Sequence, residues 1–329
     1  MSLNKIRWGI ISTAKIAETA FIPAVRQTRR GEVVGIASRN RQNAESFAAE
    51  NGIPKVYDDY VSLLSSGEID AVYNPLPNAM HREWTEVAAA NKKHIFCEKP
   101  LATTVADIEA MVKICDEANV VFFEAFVFLY HPQTTRLREL VRAGTIGELL
   151  QLHAHMSFTL QRPTDNIRMN QALGGGSLYD VGSYPITFAR CIFGAEPVAI
   201  QSKCLIDPEY GVDTRATVIL EFSGNRTASI QSGFDSFAGQ GAALFGTEAA
   251  IDIPTPYHPQ EKSNFVIRTR DAEEIISFEN GVPPFTPAIE HFHDCIIDGA
   301  KPLYNASNAA GTLNVIETIL SDTLMELNS

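Results

Sequence analysis

The first 125 residues alternate between short apolar runs and stretches with helical spacing, and this alternation limits the fold more than any other feature of the chain. Apolar runs fall at 6–11, 33–37, 56–57, 71–73, 94–97 and 120–123. Between them lie helix-patterned segments from Ile16 to Thr28, from Asn43 to Asn51 (closed by Gly52), and near 59–65, 78–91 and 104–118. Apolar strands separated by helices predict a parallel, doubly wound α/β sheet covered on both faces. Such sheets bind ligands beyond the carboxyl ends of their strands, so the strand tips are the places to look for chemistry.

Ser12, Thr13, Ala14, Lys15 and Ile16 follow the first strand. The dinucleotide fingerprint Gly-x-Gly-x-x-Gly/Ala has Ser12, Ala14 and Ala17 at its three positions, so the motif fails as a pattern. The side chains there are still small, and the amides of Ser12 to Lys15 can face a pyrophosphate at a helix N-terminus. A plain strand-to-helix turn is the competing reading. The second tip, Ser38-Arg39-Asn40, lacks the acid that holds the ribose hydroxyls of NAD. A hydroxyl beside a guanidinium suits a 2′-phosphate, which predicts NADP rather than NAD. After the fourth strand, Asn74-Pro75-Leu76-Pro77-Asn78 makes a stiff loop on the expected nicotinamide side. Asn78 caps the next helix, whose first turn carries His81, read as a helix residue of the cofactor-binding set rather than a catalyst. Glu98-Lys99-Pro100 follows the fifth strand. A lysine fixed there, with Glu98 to orient it, can donate a proton or stabilise charge, and burial beside a cofactor would lower its pKa.

Beyond Phe126 the pattern changes. Strands are predicted near 149–158, 197–206, 214–222, 226–234, 240–246, 264–270 and 274–278, with a hairpin turn at Gly224-Asn225. Consecutive strands with tight turns imply a mainly antiparallel sheet. Helices are expected at 132–143, 177–192, 285–298 and 306–326. The polar region 160–176, with Asn166 and Arg168, reads as a long loop that holds a substrate or the cofactor amide. Gly174-Gly175-Gly176 allows positive φ and a close pass against a neighbouring molecule. Ser177 reads as an N-cap. Asp180 and Tyr184, four apart, then share a helix face near its positive end. Pro185 would clash with the Val181 carbonyl and bend the helix beside Tyr184. A carboxylate and a phenol one turn apart suit proton transfer to a polyol; a capping box with an ordinary half-buried tyrosine is the bland alternative.

Basic residues number 27 and acidic residues 39, a net charge of −12, which argues against nucleic acid or an anionic membrane as the main partner. Cys97, Cys115, Cys191, Cys204 and Cys295 are scattered with no CxxC pair, as expected of reduced core thiols in a cytoplasmic protein. The opening carries no signal-peptide pattern, and Ser2-Leu3 reads as a cloning remnant. His153 and His155 share a strand face, but no further ligands complete a set. His291 and His293 would not share a helix face. No metal is expected.

The start of the chain, Glu98-Lys99-Pro100, and Gly174-Gly175-Gly176 with Asp180 and Tyr184 together resemble the glucose–fructose oxidoreductase / inositol dehydrogenase (Gfo/Idh/MocA) family over almost the whole chain. Trp8-Gly9-Ile10, Ser38-Arg39 and Tyr184 are most similar to its dimeric dihydrodiol dehydrogenase and NADP-dependent D-xylose dehydrogenase branch. The resemblance implies a Rossmann domain, here 1–125, followed by a C-terminal α/β domain, here 126–329, with the last helix at the seam. It also implies a homodimer or higher oligomer through the C-terminal open sheet. The expected activity is hydride transfer between a nicotinamide and a carbinol carbon of a sugar or cyclic diol. Lys99 or Tyr184 exchanges the hydroxyl proton and Asp180 orients the partners. A cofactor-sensing regulator and a reductase of a non-sugar carbonyl or imine are the alternatives.

Overall fold

In the computed structural model, which describes residues 5–163 and 165–327, the chain divides into two units. Ser2-Leu3 lies outside the described residues. The first unit comprises the chain up to Ala102, Ala106–Tyr130 and Val282–Ala309. The second comprises Thr103–Val105, His131–Gly281 and the chain from Ala310 onward.

The first unit holds a six-stranded sheet in the order β3-β2-β1-β4-β5-β6. Its strands are β1 (Ile6–Ile11), β2 (Gly31–Ala37), β3 (Lys55–Tyr57), β4 (Ala71–Asn74), β5 (His94–Cys97) and β6 (Phe122–Glu124). Every pairing is parallel. The strand order reverses between β1 and β4, which opens a crevice at their carboxyl ends. The sheet needs cover on both faces, and part of it comes from the far end of the chain. Trp8 is fully buried, stacks on Phe292 at 5.1 Å and donates its indole N–H to Nε2 of His293 at 3.0 Å. Phe21 stacks on Tyr73 at 3.9 Å. The helix bearing Phe292 and His293, Thr286–Ile297, therefore belongs to the first unit.

The second unit is built on an eight-stranded sheet, β14-β13-β12-β11-β7-β10-β9-β8. Its strands are β7 (Leu149–Thr159), β8 (Ala199–Ile206), β9 (Asp213–Phe222), β10 (Arg226–Gly233), β11 (Asp235–Gly246), β12 (Ala250–Ile253), β13 (Lys262–Arg268) and β14 (Glu273–Glu279). All pairs are antiparallel except β7 with β10. β12 lies outside the predicted strands, because four residues are too few to show alternation. β11 begins at Asp235 rather than 240, with a register shift before Gly239 that interrupts its pattern. Gly224 and Asn225 make the expected turn with φ 82° and 56°. Along β9 the residues alternate between buried Ala216, Val218 and Leu220 and exposed Arg215, Thr217 and Ile219, so one face is packed and the other open.

Two widened helical turns share one cause. Ala17–Phe21 and Leu178–Gly182 are π-helical, and each runs into an α-helix with proline near its start, Pro23 and Pro185. Proline has no N–H and collides with the carbonyl four residues back, and a π turn accommodates both defects. The bend expected beside Tyr184 takes this form. Among the described residues no helix is long and apolar enough to cross a membrane.

Candidate functional site

In the first unit the predicted residues collect at the carboxyl edge of the parallel sheet. Ser12 follows β1 with φ 156°, a glycine-like value at the fingerprint's first position, and its Oγ accepts the Ala14 amide at 3.0 Å. Thr13 and Lys15 continue the turn, and Ile16 leads into the π-helical turn, 38% exposed. At the tip of β2, Ser38 is buried and accepts the Asn40 amide at 3.4 Å. Asn40 caps the next helix through the Asn43 amide. Arg41 is committed to Glu45 and Asp58, which leaves Arg39 as the basic group of the tip. Arg39 lies exposed close to the Tyr60 phenol, whose pKa burial pushes up and the guanidinium opposes.

Asn74 ends β4 almost fully buried. Its Oδ1 accepts the Leu76 amide at 3.3 Å, and its Nδ2 finds no partner among the described residues. A buried orphan donor at the switch point fits a dinucleotide ligand, because leaving it unmade costs about 1–3 kcal/mol. Pro75, Leu76 and Pro77 carry the loop on to Asn78, which opens a short 3-10 turn (Asn78–Met80) instead of capping the helix: His81–Ala90 starts after Met80 with no side-chain cap. His81 lies beneath this loop, fully buried. Its Nδ1 faces the carbonyls of Pro100 (3.0 Å) and Leu101 (3.2 Å), and its Nε2 faces that of Leu76 (2.7 Å). His81 thus ties the loop after β4 to the loop after β5. Desolvation by burial pulls its pKa down, against the opposing pull of those carbonyls. Glu98 accepts the Tyr73 hydroxyl at 2.6 Å and the Lys99 amide at 3.3 Å. It therefore grips the lysine through the backbone. Lys99 itself is half-buried.

In the second unit the structure joins the polar loop to the glycine-led segment. Asn166 caps a short turn by accepting the Arg168 amide at 3.0 Å. The Arg168 guanidinium lies over the Phe158 ring and donates to Asp180 at 2.5 Å. Asp180 and Tyr184 are both half-buried. The Tyr184 ring lies 5.0 Å from that of His258 and 5.8 Å from that of buried Tyr257. Gln240 accepts both of their backbone amides at 3.1 Å, which fixes the 254–259 loop.

Gly175 and Gly176 pass close to their own chain. A Cβ on Gly175 would lie 2.6 Å from the Arg168 carbonyl oxygen, and one on Gly176, at φ 123°, would overlap Oδ1 of Asp213. Gly174 takes φ 76° to close the turn before it. Ser177 stands at the N-cap position as expected, but its backbone is already helical and its side chain makes no capping hydrogen bond. Instead it donates to Oδ2 of Asp213 at 2.6 Å, and the same oxygen accepts the Leu178 amide at 2.8 Å. Asp213 is the acceptor for this end of the segment, and burial pushes its carboxyl up to about 6. Its partners lie more than 30 residues away in sequence, so no local pattern announces it. His258, between Tyr257 and Pro259, was likewise missed; its one signal in the sequence was a histidine among closely spaced prolines.

His153 and His155 lie exposed on β7. His293 is committed to Trp8, and His291 accepts the Leu303 amide at 3.0 Å. Among the described residues no group of three or more His, Cys, Asp or Glu side chains comes together as a metal site.

Residues 6–126 match the family model described as an oxidoreductase family with an NAD-binding Rossmann fold, and residues 134–252 match the GFO/IDH/MocA C-terminal domain. D-xylose 1-dehydrogenase (NADP(+)) 2 of Haloferax volcanii is 32% identical over 95% of each chain. Trans-1,2-dihydrobenzene-1,2-diol dehydrogenase of Xenopus tropicalis is 28% identical over 98% of each. Among solved structures, a 3-ketoreductase from Actinomadura kijaniata in complex with NADP and TDP-benzene is 26% identical, with a TM-score of 0.89, over 97% of this chain and 98% of its own. An aldose-aldose oxidoreductase from Caulobacter crescentus is 25% identical, with a TM-score of 0.91, over 98% of each chain. The chain belongs to the Gfo/Idh/MocA family of oxidoreductases, with an N-terminal NAD-binding Rossmann domain and the family's C-terminal domain.

Proposed function

We propose that the protein is an NADP-dependent dehydrogenase of a sugar or cyclic diol, oxidising a carbinol to a carbonyl. The observation that carries the reading is the presence of Lys99 just beyond the tip of β5 and of Asp180 and Tyr184 on one helical segment. A chain that only sensed a cofactor would need none of the three. Ser12 to Ile16 would hold the pyrophosphate, and Asn74 to Asn78 would border the nicotinamide. The preference for NADP is supported by Arg39 beside Ser38, with no acid at that tip. Bound NADP provides the hydride acceptor at nicotinamide C4. The chain's own task is the proton: Lys99 or Tyr184 takes it from the substrate hydroxyl as the carbon–hydrogen bond breaks. Asp180, paired with Arg168, would orient the substrate, and Asn166 holds the turn that carries Arg168. The reverse reaction, reduction of a keto sugar, is the second reading, favoured by the likeness to the 3-ketoreductase.

The test follows reduced-nicotinamide absorbance with NADP⁺ or NAD⁺ against D-xylose, D-glucose, other aldoses and trans-dihydrodiols. Turnover of an aldose or diol with NADP⁺ supports the reading. Tight NADP⁺ binding with no turnover of any member, in either direction, would sink it in favour of a regulator. Leu205 and Ile219, on the exposed face of the second sheet, support a homodimer through that face.

A further inference from the structure

The geometry points to Asp213 as the positioning residue of this site: from the start of β9 its carboxylate sets where the Asp180–Tyr184 segment begins, and so where both side chains lie. This rests on the reading of that segment given above. Asp213 is 2% exposed. Its Oδ2 receives both donors of the segment's first turn, the Ser177 hydroxyl at 2.6 Å and the Leu178 amide at 2.8 Å. Its Oδ1 occupies the space that a side chain on residue 176 would need. Carboxylate and glycine are therefore a matched pair: a side chain at residue 176 would collide with the carboxylate unless one of the two moved.

The far end of the turn also lies close against the sheet. A Cβ on Gly182 would come within 3.0 Å of the Ser232 hydroxyl on β10, and that hydroxyl lies 3.5 Å from Ser177 Oγ. The π-helical turn carrying Asp180 is thus seated on β9 and β10 at both ends, with small residues wherever the backbone touches them. Tyr184 follows two residues later on the same continuous helical backbone. A carboxylate is an expensive way to hold such a turn, because burying the charge opposes folding. Its use here fits a requirement for placement rather than for stability. Displacement of a catalytic group by about 1 Å can cost on the order of 100-fold in rate.

The experiment compares D213A, D213N and S177A, with Y184F as a control, in the full-length protein. NADP⁺ is paired with D-xylose, or with the panel member turned over fastest. We expect D213A to lower kcat by about tenfold or more while the KM for NADP⁺ stays within about twofold. D213N keeps an oxygen for both donors and should recover most of the loss. S177A, which removes one donor of two, should lower kcat by about two- to fivefold. Amide hydrogen exchange at 177–181 should rise in D213A and S177A. The proposal is overturned if D213A keeps kcat within about twofold of wild type, or if D213N is as impaired as D213A with the KM for NADP⁺ raised alike. Should D213A not fold, S177A decides, and unchanged kcat and exchange in that variant overturn the proposal. Y184F at wild-type turnover would instead sink the functional reading on which it rests.

Discussion

Replacing Asp213 with asparagine should change how stability depends on pH, and the size of the change follows from the burial of one carboxyl. Desolvation is the dominant influence on Asp213 and raises its pKa to about 6, against the lowering effect of the Ser177 hydroxyl and the Leu178 amide. An unfolded chain ionises an aspartate near 3.9. Below about pH 4 both states hold the proton and the residue makes no charge-related difference. Between about 4 and 6 the unfolded state has lost its proton while the folded state keeps it, so stability falls as pH rises. Above about 6 the loss is complete. Two pKa units correspond to about 3 kcal/mol. Asparagine has no proton to hold, so D213N lacks this slope whatever constant offset the substitution brings. Urea unfolding of both proteins from pH 4 to 7.5 gives two stability curves, and subtracting them cancels the other titrating groups. The difference should move by about 2 kcal/mol in favour of D213N between pH 4 and 7, since part of the unfolded state's proton is already lost at pH 4. A flat difference would show that the carboxyl is not desolvated as its surroundings demand. A slope of opposite sign would show that its hydrogen bonds outweigh its burial.

Other substitutions test the remaining parts. K99M and Y184F should each lower kcat by about 10²- to 10⁴-fold with little change in the KM for NADP⁺, and the variant that loses the acidic limb of the pH–rate profile, where a base is silenced by protonation, identifies the proton acceptor. R39A should reduce the preference for NADP⁺ over NAD⁺ by about tenfold or more, since a charge-assisted bond to a phosphate contributes about 1.5–3 kcal/mol; equal changes for the two cofactors would refute the assignment of the 2′-phosphate. G176A meets both a positive φ and the Asp213 carboxylate, and should cost about 2–5 kcal/mol by denaturant titration. L205E with I219E should convert a dimer to a monomer in sedimentation without unfolding it; sedimentation identical to wild type would place any interface elsewhere.

The alternation of strands and helices, the residues at the strand tips and the turn at Gly224-Asn225 were legible in the sequence, because each depends on a few neighbouring residues and on the period of the backbone they form. Ser12, Ser38, Arg39, Asn74 and Lys99 fall at strand ends, and a strand end is a local feature. What fills the space against those elements is not local. Residues 282–309 return to the first unit because Trp8 and the surrounding aromatic rings need Phe292 and His293 as cover. Only the folded chain brings Asp213 to Ser177 and Leu178, and only then do the three glycines acquire their reason. Spacing along the backbone carries the first kind of information. The second arises where distant segments compete for the same few cubic ångströms, and the sequence does not say in advance which of them will meet.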